Sequence, residues 1–146
     1  PTNAVYDLRV HPREKELIIG THGRGVYIMN VEHIQALTGD ILKKPVHLLE
    51  LPQVKLLRPR YAKYQSPMTV TFFVNADTTL DAALKSTVGK RKKTIKTFKI
   101  KAHKGINTWK WDLVLNKIKK EKIKKGKYVF VLGKGKSAAQ KEVEVK

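Results

Sequence analysis

The chain has 146 residues, with 31 Lys and Arg against 12 Asp and Glu, no cysteine and a hydrophobic content of 41%. That length suits one domain or one and a half, and that apolar fraction supports a packed core rather than general disorder. Disulfides, thiolate metal sites and cysteine nucleophiles are excluded, and no apolar run reaches the roughly 18 residues that a membrane helix needs.

The chain opens on Pro1 and enters a strand pattern almost at once, as a piece of a longer protein or a mature secreted protein would, with no basic-then-apolar signal segment. AVYDLRV alternates, with Ala4, Tyr6, Leu8 and Val10 on one side and Asp7 and Arg9 on the other. HPREKE is a polar turn begun by Pro12. ELIIGTH and GVYIMNV are the second and third strands, joined by GTHGRG at 20–25. VEHIQALTGD predicts one or two helical turns ending near Gly39. Three such strands make a meander too small to offset its ordering entropy alone, so it needs a neighbour.

GTHGRG lacks the Lys-Ser/Thr ending of a phosphate loop and leads into a strand rather than a helix. It reads as a hairpin turn whose glycines, Gly20, Gly23 and Gly25, accept positive φ. Thr21, His22 and Arg24 would hold it by side-chain hydrogen bonds, or His22 and Arg24 would serve a surface role.

Residues 41–66 read as a linker and edge strand, punctuated by Pro45, Pro52 and Pro59, with Pro67 just beyond. Strand patterns resume from Met68. MTVTFFV sets Met68, Val70, Phe72 and Val74 against Thr69, Thr71 and Phe73, and TLDAAL follows. VGKRKK is a turn. TIKTFKIKA points Phe98, Ile100 and Ala102 inward and leaves Ile95 out of phase, the mark of a bulge. INTWKWDLVL aligns Asn107, Trp109, Trp111 and Leu113 on one face. A lysine-rich loop, then YVFVLG and KEVEV, completes about seven strands, the size of a β-sandwich.

The +19 net charge is confined to residues 53–146, because 1–52 hold six bases and six acids. Two clusters stand out: Lys90, Arg91, Lys92 and Lys93, and then Lys117, Lys119, Lys120, Lys122, Lys124, Lys125 and Lys127. They are either solvated surface or a site for an acidic polymer or surface. Lysine predominates over the bidentate arginine, no aromatics are interleaved, and no nucleic-acid motif is present.

Catalytic chemistry is not legible. A glycosidase needs two carboxylates flanking its substrate, whereas Asp77 and Asp81 read as turn residues and Asp112 follows two tryptophans that read as core anchors. His11, His22, His33, His47 and His103 show no metal-ligand spacing. No cofactor motif is found.

Residues 5–29, VYDLRVHPREKELIIGTHGRGVYIM, resemble the last blade of the Asp-box (BNR) β-propellers, the sortilin-like and glycosidase-like group. Asp7, Leu8, His11, Pro12, Leu17, Gly20, Thr21, His22, Gly23, Arg24 and Gly25 carry the likeness, while Tyr27 to Asn30 depart from the Trp and acids usual in the third strand. GINTWKWDL (105–113) and KGKYVFVL (125–132) resemble the immunoglobulin-like or fibronectin-like sandwich that follows such propellers, related to one in flagellar hook-capping proteins. The S-x-D-x-G-x-T-W Asp-box itself does not occur in the chain.

The resemblance implies an all-β chain: a partial propeller blade, a three-strand meander, at 1–40; a linker and edge strand at 41–66; and an immunoglobulin-like β-sandwich at 67–146. It implies a non-catalytic, accessory end of a larger propeller protein, with the remaining blades as its partner and an exported, periplasmic or extracellular location. The alternatives are a polyanion-binding module using the lysine clusters, or the end of a glycan-acting enzyme whose active site lies elsewhere.

Overall fold

The computed structural model describes residues 3–87, 93–116, 118 and 121–146. The chain divides into two compact units, 1–39 and 40–146. Unit 1 holds four bases and four acids, so the whole +19 excess belongs to unit 2.

Unit 1 is an antiparallel meander of β1 (Val5–His11), β2 (Glu16–Thr21) and β3 (Gly25–Asn30), followed by the short helical turn α1 (Glu32–Gln35). A bulge between Val5 and Asp7 leaves Tyr6 unpaired. Cross-strand register sorts the side chains by face. Leu8 and Val10, Leu17 and Ile19, and Tyr27 and Met29 lie opposite one another on one face, and Ile18 and Ile28 with Val26 lie on the other. Within the unit, β1 is exposed from Val5 to Val10 and β3 throughout. Turns hold the meander in shape. His11 Nδ1 accepts the Glu14 N–H, Lys15 O accepts the Val31 N–H, and Lys15 pairs with Glu32.

Unit 2 is a two-layer sandwich. α2 (Gly39–Leu42) leads into it. One sheet is β4 (Val46–Glu50), β5 (Met68–Val74) and β8 (Gly105–Trp111), in the order β4-β5-β8. The other contains β6 (Thr78–Ser86), β7 (Lys93–Ala102), β11 (Gly126–Leu132) and β12 (Ala139–Val145), in the order β12-β11-β6-β7. Between them, β9 (Val114–Asn116) and β10 (Glu121–Lys122) pair as a small ribbon. The fourth strand of the sandwich, β7, joins the four-stranded sheet at its edge, next to β6.

Met68, Val70, Phe72 and Val74 of one sheet form the core with Leu84, Ile100, Ala102, Phe130 and Leu132 of the other, and Phe98 packs against it partly buried. Trp109 stacks on Phe130 across the gap at 5.9 Å, and Phe98 meets Trp109 and Trp111 edge-on at 4.8 and 5.3 Å. The phase break at Ile95 is a bulge. Leu84 pairs with Lys96 and Lys85 with Thr94, so Ile95 is skipped and turns back toward the core.

Segment 41–66 is more than a linker. β4 pairs along β5, and Leu51 and Val54 are buried in the core. Val54 then crosses to the other sheet and bridges Val145 in parallel, with Leu56 N–H donating to Lys146 O at 2.8 Å. The prolines mark strand ends. Pro45 precedes β4, Pro52 lies between β4 and Val54, Pro59 begins a 3-10 turn, and Pro67 precedes β5. A chain that leaves one sheet edge for another needs that interruption, because Pro cannot donate to a ladder.

The turn into β11 is a tyrosine corner. Tyr128 is buried and its hydroxyl donates to Lys124 O at 2.8 Å. Gly126, at φ 152°, lies beneath that ring. Burial pushes the Tyr128 phenol above the ordinary tyrosine range. Tyr128→Phe strands a carbonyl and is expected to cost about 1–2 kcal/mol, read as a lower urea midpoint with an unchanged m-value in tryptophan fluorescence.

Candidate functional site

The GTHGRG turn is a three-residue hairpin loop. Thr21 pairs with Gly25, and His22, Gly23 and Arg24 span the tip. Gly23 and Gly25 take φ of 73° and 89°, the left-handed region that an L side chain resists. Gly20 does not. It sits in β2, paired with Asp7 and Val26, and a Cβ there would make only ordinary contacts with Asp7.

The side chains divide the work unequally. Thr21 Oγ1 donates to Gly25 O at 2.7 Å and closes the loop. His22 is held by its backbone, which donates to Ala4 O and accepts from Asn3 Nδ2, while its ring lies 5.1 Å from that of Tyr6. Arg24 is exposed at the tip. Gly25→Ala is therefore expected to speed amide exchange across β2–β3 about fivefold or more, whereas Gly20→Ala leaves it nearly unchanged.

The described members of the two lysine clusters come together through the sheet topology. Lys93 starts β7 opposite Ser86, the end of β6, and Ser86 also faces Tyr128 near the start of β11. Lys122 lies in β10, and Lys124 and Lys125 lead into β11, where Lys127 follows. Lys93, Lys122, Lys124, Lys125 and Lys127 thus occupy one end of the sandwich, all exposed. Glu121 lies among them, and Glu144 pairs across the ladder from Lys127. Lys90, Arg91, Lys92, Lys117, Lys119 and Lys120 lie outside the described residues. Their flanking residues, Thr87 and Lys93, Asn116 and Glu121, belong to this same end.

Lys96 was not singled out in the sequence, and it is used internally. Its Nζ donates to Val114 O and to Leu115 O (2.8 Å for the latter) and lies 5.7 and 5.9 Å from the Phe98 and Trp111 ring centres. The out-of-phase Ile95 beside it was the available signal, because a bulge redirects its neighbour.

The carboxylates are committed to local structure. Asp77 accepts the Lys104 N–H at 2.7 Å and faces His103 Nδ1 at 3.4 Å, and these contacts lower its pKa, the backbone bond first. Asp81 lies on β6 rather than in a turn. There it meets Lys134 at 2.8 Å and is lowered by that hydrogen bond. Asp112 Oδ1 accepts the Val114 N–H and shapes the turn in which buried Leu113 takes φ 66°. Leu113 thus lies beyond β8 rather than in phase with Trp109 and Trp111. Asn107 clamps the preceding loop through His103 and Gly105. Among the described residues, no three of His, Asp and Glu converge as metal ligands would.

His47 is half-buried on β4, and its pKa is lowered by burial and then by Lys44 and Lys141. The unfolded chain therefore takes up this proton first as pH falls. The stability it contributes is present above about pH 6.5 and is lost as the pH drops through its folded value. The lowered carboxylates act below about pH 4. His47→Gln is expected to flatten the fall of Tm between about pH 6.5 and 5, read by thermal scans at matched salt.

No known family's profile matches the chain, and no curated protein matches it.

Proposed function

We propose that this chain is the non-catalytic end of a larger β-propeller protein, with unit 1 as its last blade and the sandwich as an accessory domain. One observation carries the reading: β2 and β3 carry apolar side chains on both faces, Leu17, Ile19, Tyr27 and Met29 on one and Ile18, Val26 and Ile28 on the other, and only β1 alternates, through Asp7 and Arg9. A sheet that faces water on one side alternates polar and apolar, whereas one covered on both sides does not. Propeller blades are sheets of the second kind, stacked face to face around a channel. The GTHGRG motif and the sandwich that follows it agree with an Asp-box propeller of the sortilin-like or glycosidase-like kind, and with export from the cytoplasm.

The state of the carboxylates agrees with a non-catalytic role. A glycosidase acid must stay protonated near neutral pH. Asp77 and Asp81 are both pulled the other way, by the Lys104 amide and by Lys134. If the parent acts on glycans, its acid and nucleophile lie in other blades.

The reading frame upstream of Pro1 tests the proposal. Roughly several hundred codons with repeated S-x-D-x-G-x-T-W segments are expected, and a start codon directly before Pro1 overturns it. A physical test runs on the chain alone. Amides of β1–β3 are expected to exchange at least about a hundredfold faster than those of β5 and β11. Equal protection would mean that the meander has already found its cover.

A further inference from the structure

Two isoleucines stand in the same local sequence, Lys-Ile-Lys-Lys, at 117–120 and at 122–125. Their fates are opposite. Ile123 is 4% exposed, and its N–H donates to Leu113 O at 3.0 Å. Ile118 is 94% exposed, in a turn where its N–H donates to Asn116 Oδ1 at 2.9 Å. A lone exposed apolar side chain is ordinary. This one stands within 117–127, which holds seven lysines and one glutamate. It lies at the end of the sandwich where Lys93, Lys122, Lys124, Lys125 and Lys127 converge.

We propose that this end of the sandwich binds the surface of an anionic lipid bilayer, with Ile118 entering the headgroup–acyl boundary and the lysines lying over the phosphates. A polybasic patch is drawn to such a surface roughly additively per charge. A single short apolar anchor holds weakly, so stable attachment takes both signals together, and both are present here. An acidic polysaccharide or a nucleic acid would answer the charge, but its backbone offers an isoleucine no apolar layer. The lysine stem also suits a lipid surface, because it lays its methylenes along apolar material while the ammonium stays in water. The proposal stands independently of the blade reading, since it uses residues of unit 2 alone.

The test is co-sedimentation of the full chain with vesicles of phosphatidylcholine, with and without roughly 30% phosphatidylglycerol, at about 0.1 M salt. Binding is expected only to the anionic vesicles. Ile118→Ser is expected to weaken it roughly tenfold, with Tm and retention on heparin resin unchanged. Lys122→Glu with Lys125→Glu is expected to remove it. Both substitutions change exposed side chains, so the fold is retained. Failure to bind the anionic vesicles overturns the proposal. So does equal binding of Ile118→Ser and the unaltered chain. In that case, heparin retention lost with the same lysine reversals would assign this end of the sandwich to an acidic polymer instead.

Discussion

Trp109 of one sheet lies against Phe130 of the other, and Phe98 meets both tryptophans edge-on. Rings at these separations and tilts gain attraction beyond the area they bury. They also fix which strand lies over which. With β8 set against β11 and β7, Lys93 and Lys122 to Lys127 have one end of the sandwich in common. Lys96 adds a second constraint at the rim, where its ammonium bonds two β9 carbonyls beneath two rings. A cation held in this way ties the ribbon to the four-stranded sheet. Its charge serves the fold, whereas the charges of Lys122 and Lys125 face solvent.

The first unit lives under a different regime. Its strands are paired with one bulge, at Tyr6, yet its apolar residues find no layer within the unit. What shapes it is local: two glycines at positive φ, the Thr21 hydroxyl, and the Lys15–Glu32 pair. Exposed hydrogen bonds and exposed ion pairs each add little net stability. Turn chemistry can therefore define the form of this sheet without making it strong. The sandwich, in contrast, buries Phe72, Leu84 and Phe130 completely.

Much of this was legible in the residues. Alternation placed Met68, Val70, Phe72 and Val74 inward, and a break in alternation marked the bulge at Ile95. Segment 41–66 was harder, because a proline at a strand end and a proline in a linker look the same until the neighbouring sheet edge is known. The glycines of 20–25 were alike in sequence, and only register separates Gly20 from Gly23 and Gly25. Ile118 and Ile123 show the limit most plainly. Identical neighbours cannot tell which one is buried, since that depends on Leu113, whose carbonyl receives Ile123. For the lysines, sequence shows two clusters, and topology is needed to show that Lys93 of the first lies at the same end as Lys122 to Lys127 of the second.

The parallel bridge between Val54 and Val145 has a mechanical meaning. Val54 N–H donates to Glu144 O, Lys146 N–H donates to Val54 O, and Leu56 N–H donates to Lys146 O, at 3.0, 2.9 and 2.8 Å. Tension applied between the segment entering at 40–45 and Lys146 would draw these two parallel stretches along one another. The bonds between them would be loaded together, in shear, instead of being unzipped one at a time. This short clasp would therefore act as a force-bearing latch, out of proportion to its share of the sheet.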